Sequence, residues 1–264
     1  MKKIILSTVL ASTLVMAAQP DLKEDTKFVT HTEFGYIQTQ GNTVTQTFNL
    51  DAKAKKGWGK NIFELLFDGQ YASDKEVETK NKYLVELEYD YEITERFAFD
   101  YLTGYKSDKF SGFAYQAYTG PGAKYKAIMT EVQNLSLEGN ILYSMDSYEA
   151  VYVDGSGAII SYPNSTTGHT LQTDSHQDNY ASYRVKGVYD WQILKNLKFD
   201  QELSLRGSFD VADKYFVFSK TAFSSKISDM FSAGISYKVD YVNLPATGKD
   251  STDTTFTANL IIDY

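Results

Sequence analysis

Apolar and polar residues alternate with a period of two along most of the chain, and no segment beyond residue 18 carries a sustained helical stripe. The clearest run is 83–93, where Tyr83, Val85, Leu87, Tyr89, Tyr91 and Ile93 share one face and Glu86, Glu88, Asp90 and Glu92 the other. Successive side chains of a strand point to opposite sides, so this ribbon is greasy on one face and acidic on the other. The same alternation marks strands near 28–39, 44–55, 63–71, 97–105, 113–127, 135–143, 183–191, 197–209, 215–226, 231–241 and 255–264. Twelve strands are therefore predicted.

Alternation alone does not say which face is inside. A secreted β-sandwich would bury the apolar face, whereas a transmembrane barrel would turn it to lipid. Three features favour the barrel. The strand number is even, and the strand lengths match one tilted bilayer crossing of ~9–11 residues. Connections at 56–61, 94–96, 128–133, 192–196 and 227–230 are short, while the intervening set includes 72–82, 106–112, 147–179, 210–214 and 242–254, with a tight first member near 40–43. Short periplasmic turns and long outer loops are the outer-membrane arrangement. Finally, Trp58 and Trp191 fall at the short-turn end, where an amphipathic ring suits the membrane interface. The expected fold is a 12-stranded antiparallel, up-and-down transmembrane β-barrel.

Both termini add an address. Lys2 and Lys3 precede an apolar run from Ile4 to Met16 that ends in Ala17 and Ala18, the layout of a secretory signal. Residues 1–18 are expected to be removed, leaving 19–264 as the barrel domain. At the other end Phe256, Ala258, Leu260, Ile262 and Tyr264 alternate to the last residue. Such a terminal strand closes the barrel on its first strand, and it resembles the signal read by the barrel-assembly machinery. That machinery and the lipid and lipopolysaccharide of a bacterial outer membrane are the expected partners.

Composition narrows the choice of function. With 26 Lys+Arg against 34 Asp+Glu, the net charge of −8 argues against nucleic acid. The absence of cysteine removes disulfides, thiolate metal sites, a catalytic thiol and a lipid-anchor cysteine. On the polar face, fourteen acids stand against eleven bases, and candidate lumen-lining residues are Glu86, Glu88, Asp90, Lys106, Lys124, Arg184, Lys186, Glu202, Arg206 and Lys238. These permit either a narrow pore with mild cation preference or a lumen closed by its own ion pairs, because twelve strands lie between filled small barrels and open porins. Gly120 and Gly122 face inward and are expected to leave free space, with a bulge at Pro121.

His169 and His176, near Asp174 and Asp178, lack an established ligand spacing and read as solvated loop. His31 reads as an inward strand residue. No nucleophile–base set stands out, and nothing calls for a metal or cofactor. The chain is not expected to be an enzyme; an outer-membrane hydrolase is the minor alternative.

Two segments carry a family resemblance. TEFGYIQTQGNT (32–43) has an acid–aromatic–Gly–Tyr strand and a Gly–Asn–Thr turn, and SDKFSGFAYQAYTGPGAKY (107–125) places Asp108, Phe110, Gly120, Gly122 and Tyr125 in a matching arrangement. They resemble the salt-induced outer-membrane protein family, a domain of unknown function. Gln116 stands where a basic residue is common, and Lys124 where a glycine is common. The resemblance implies an outer-membrane barrel and transfers no catalytic residue.

Overall fold

The structure is a computed structural model that describes residues 28–39, 45–160 and 169–264. The expected signal segment lies outside the described residues, as does the first connection. Twelve long strands form the barrel: β1 (Val29–Thr39), β2 (Thr45–Trp58), β3 (Asn61–Asp74), β4 (Val77–Glu92), β5 (Phe97–Asp108), β6 (Phe113–Met129), β7 (Gln133–Tyr148), β11 (His176–Leu194), β12 (Leu197–Ser208), β13 (Tyr215–Lys226), β14 (Phe231–Val242) and β15 (Thr252–Asp263). Each pairs antiparallel with its chain neighbours, and β1 pairs with β15 to close the ring. Three short strands, β8 (Val151–Val153), β9 (Ile159–Ile160) and β10 (Thr170–Thr173), make a separate sheet within the connection from β7 to β11.

The barrel is polar inside and apolar outside. Leu65, Leu87, Leu137, Ile141, Val185, Leu203 and Ile235 are exposed on the outer face. Glu86, Glu88, Asp90, Glu138, Arg184, Lys186 and Lys238 are buried within. That inversion suits hydrocarbon outside, and closure leaves no strand edge for lipid to solvate. Aromatic clusters flank the aliphatic band. Trp58 ends β2 and stacks on Phe63, which meets Tyr89, at the short-turn end. Tyr83, Tyr105 and Tyr115 stack in a row toward the other end. Trp191 lies three residues before the end of β11, exposed at the same end as Trp58.

Two expected outer loops are largely strand. The stretch 72–82 reduces to a two-residue turn at Lys75 and Glu76, both in the left-handed region (φ 47° and 67°). Paired positive φ values match the twist of a hairpin, so β3 and β4 continue beyond the greasy band with polar side chains on both faces. The connection at 106–112 shrinks likewise to 109–112, and β7 and β11 pair as far as Tyr148 and His176, so His176 belongs to a strand. Periodicity misses these extensions because a strand standing in water on both sides needs no apolar alternation. The wall is consequently uneven, with β11 at 19 residues and β12–β15 at 12 each.

The ladder at Pro121 also differs from expectation. Thr119 pairs with Tyr143 and Gly122 with Asn140 without a change of register, so the proline interrupts the β6–β7 ladder rather than bulging it. Proline has no N–H to donate there. Register shifts in that hairpin fall instead between Phe113 and Tyr115 and between Lys126 and Ile128.

Candidate functional site

The lumen divides into a packed side and a hollow side. On the packed side, Arg184 from β11 reaches over to β4 and donates to Glu86 Oε1 at 2.9 Å and to Glu138 Oε2 of β7 at 3.0 Å. Tyr118 of β6 donates its hydroxyl to the same Glu86 carboxylate. Lys124 binds Glu88 and Asp90 and stands 3.4 Å from Glu138, while Lys186 lies between Glu138 and Glu202 at 3.9 and 3.7 Å. These buried charges hold one another across four strands, so this side of the lumen is a packed ionic plug, although Arg184 Nε and one oxygen each of Asp90 and Asp100 are left without a partner.

Leu102, Tyr118 and Leu142 add an apolar cluster inside the barrel. The inward glycines do not leave free space here. The Tyr118 ring covers Gly104, a Cβ on Gly120 would strike the Ile141 backbone, and one on Gly122 would strike Asn140 and the Gly139 carbonyl. They serve close approach, filling the lumen instead of opening it.

Across the lumen, Lys238 on β14 binds Asp51 (2.6 Å) and Asp68 (2.5 Å), and Lys220 on β13 binds Glu33 (2.6 Å) and Asp51 (2.8 Å). Nearer the loop end, Asp240 of β14 receives Lys82 of β4 at 2.6 Å and Lys106 of β5 at 3.2 Å. Strands β5 and β14 stand six places apart in the twelve-strand ring, so this bridge spans the full diameter.

Beneath it lies a cavity of about 730 Å³, bordered by Ser204, Ala222, Ser224 and Ser232 on β12–β14 and reaching the turn residues Lys195, Asn196 and Asp229. Above it, a second cavity of about 180 Å³ sits under the β14–β15 connection, beside Pro245, Gly248 and Lys249. Lys106, Gln116, Asp240 and Val242 border both, so one layer of side chains separates the two chambers.

At the outer rim, Asp146 is fully buried and accepts from Gln116 (3.0 Å) and Tyr180 (2.7 Å), with Lys214 at 3.1 Å and Arg206 at 3.8 Å. Arg206 lies over the rings of Tyr118 and Phe216, and Lys214 over Tyr148 and Tyr180. Burial opposes the charge on Lys214, but its bond to Asp178 and the field of Asp146 outweigh it and hold the ammonium above its ordinary range. His176 stacks on Tyr148, and His31 contacts Asp263 (2.6 Å) and Glu33 (3.2 Å) at the β1–β15 seam.

All ten candidate lumen residues from the sequence point inside. Lys82, Asp146 and Lys214 were missed. The first two keep the parity of Glu86 and Asn140 but lie where alternation on the outer face fades, and Lys214 lies in a connection. Phe256 and Leu260 are exposed on the outer face of β15 with Ile262 half-buried beside them, and Tyr264 is exposed one residue past the end of the strand.

An apolar belt, a closed ladder and an ionic interior define a transmembrane β-barrel. The chain belongs to the family described as "Protein of unknown function, DUF481", whose model matches residues 32–264. No curated protein matches the sequence. Among solved structures, it is similar to the NanC porin (13% identity over 90% of this chain and 98% of that one, TM-score 0.44). It is also similar to the translocator domain of the autotransporter NalP from Neisseria meningitidis (7%, 90% and 86%, 0.45). A third likeness is to the KdgM porin (10%, 89% and 98%, 0.40).

Proposed function

We propose that this protein is a narrow outer-membrane channel for ions and small polar solutes, with the Lys82–Asp240–Lys106 bridge as its constriction. The observation that carries the reading is the chamber of about 730 Å³, which reaches the turn residues Lys195, Asn196 and Asp229 and shares Lys106, Gln116, Asp240 and Val242 with the outer cavity. Ten carboxylates and nine lysines or arginines border the chamber, and four carboxylates and two lysines border the outer cavity. The excess of acids around the cavities supports a cation preference, kept mild because the constriction itself sets two lysines against one aspartate. A channel of this kind needs no catalytic residue and no cofactor.

In this reading the exported chain loses residues 1–18 and reaches a bacterial outer membrane. The assembly machinery reads the strand that carries Phe256, Leu260, Ile262 and Tyr264, and lipid and lipopolysaccharide surround the belt, with Trp58 and Trp191 at one interface. The resemblance to the salt-induced outer-membrane family agrees with this location.

Purified protein in a planar bilayer should show small discrete current steps with a slight cation bias. Asp240→Ala should enlarge the step several-fold and move the bias toward anions, because it leaves two lysines at the narrowest layer. Heat-dependent gel mobility would establish that the variant is folded. The ion pairs that cross the lumen favour a second reading, a closed barrel acting in envelope integrity or through the 147–179 connection. A flat current from both folded proteins would leave that reading standing and remove the first.

A further inference from the structure

We propose that the packed side of the lumen binds one divalent cation between Asp90 and Asp100. The two residues are direct cross-strand partners on β4 and β5, both inward, with exposures of 5% and 0%. Like charges facing each other across a ladder are destabilising, and more so out of water. Each carboxylate has one oxygen satisfied: Asp90 Oδ2 accepts from Lys124 at 2.7 Å, and Asp100 Oδ2 accepts from Asn140 Nδ2. Their other oxygens, Asp90 Oδ1 and Asp100 Oδ1, are buried without a donor. Two orphaned carboxylate oxygens on directly opposed residues mark a place for a positive species.

Glu88 completes the donor set, since one carboxylate oxygen each from Glu88, Asp90 and Asp100 lies within 4.8 Å of the others. Lys124 supplies one charge, but it already engages Glu88, Asp90 and Glu138. Over the connected network, Glu86, Glu88, Asp90, Asp100, Glu138 and Glu202 face Lys53, Lys124, Arg184 and Lys186. Six acids face four bases, so even with one proton shared between Asp90 and Asp100 the network keeps an unmatched negative charge in a low-dielectric interior, which a divalent ion in place of that proton offsets. Donors that are all oxygen select a hard cation, and three carboxylates on a fixed ladder suit the flexible coordination of Ca²⁺ better than the strict octahedron of Mg²⁺. The site does not depend on whether the barrel conducts.

Refolded protein in detergent free of lipopolysaccharide, stripped with chelator, should bind one equivalent of Ca²⁺ by calorimetric titration and unfold at a higher urea concentration once loaded. Asp100→Asn should lower the affinity at least 100-fold and raise the metal-free midpoint, since it removes one of two opposed charges. Asp90→Asn should behave alike, and it serves if the first variant fails to fold. Asp74→Asn, at the β3–β4 turn, should bind as the parent does. The proposal is overturned if the stripped parent binds neither Ca²⁺ nor Mg²⁺, or if the folded Asp100→Asn or Asp90→Asn variant binds as tightly as Asp74→Asn.

Discussion

The side of the barrel built from β4–β7 and β11 and the side built from β12–β14 share one ladder, one lipid belt and one polar interior, yet only one is filled. On the first, inward glycines let Tyr118, Leu102 and Leu142 approach the wall while Arg184 reaches across to Glu86. On the second, Ser204, Ala222, Ser224 and Ser232 are too short to meet anything opposite, and the long lysines Lys220 and Lys238 reach past them to β1–β3. Strand count therefore sets the ring but not the bore. The bore follows from where small and large inward residues lie, and from which cations have two acids to hold them straight.

The sharpest way to break the contrast is Arg184→Ala. It leaves Glu86 with no cation and only the Tyr118 hydroxyl, and takes from Glu138 its shortest ion pair, so ~3 kcal/mol of unfolding free energy should be lost, read as a lower urea midpoint in detergent or vesicles. A loss within error would mean that the packed side is not a plug. Gly120→Ala should come next. Its new methyl meets backbone at Ile141 rather than a side chain that could turn aside, so ~1–3 kcal/mol should go, with little change in channel step size. The smallest effect on stability belongs to Ser224→Trp on the hollow side, expected within ~0.5 kcal/mol of the parent because space is available. Yet it should at least halve single-channel current. Equal destabilisation by Gly120→Ala and Ser224→Trp would erase the distinction between the two sides.

Much of this was legible from residue order. In 83–93 the parity that puts Leu87 against lipid puts Glu86 and Glu88 inside, and the structure follows it. Parity fails where its cause is missing. Residues 77–82 extend β4 past the exposed apolar band, where the outward positions are no longer consistently apolar, so alternation does not mark Lys80 and Lys82 as inward, although Lys82 is buried against Asp240. Gly120 and Gly122 show a different limit. A glycine in sequence says that a side chain is absent, not whether a neighbour has moved in to use the room.

Period-two alternation over an even number of bilayer-length segments pointed by itself to a twelve-stranded barrel with acids and bases turned inward. It could do so because lipid acts on every strand separately, selecting one face residue by residue. Only the tertiary structure decided that Lys82 and Lys106 meet on Asp240, that Asp90 confronts Asp100, and that one side is packed while the other borders a cavity. Those are contacts between residues up to 158 positions apart. Their distances depend on ring closure and register, which no single strand carries.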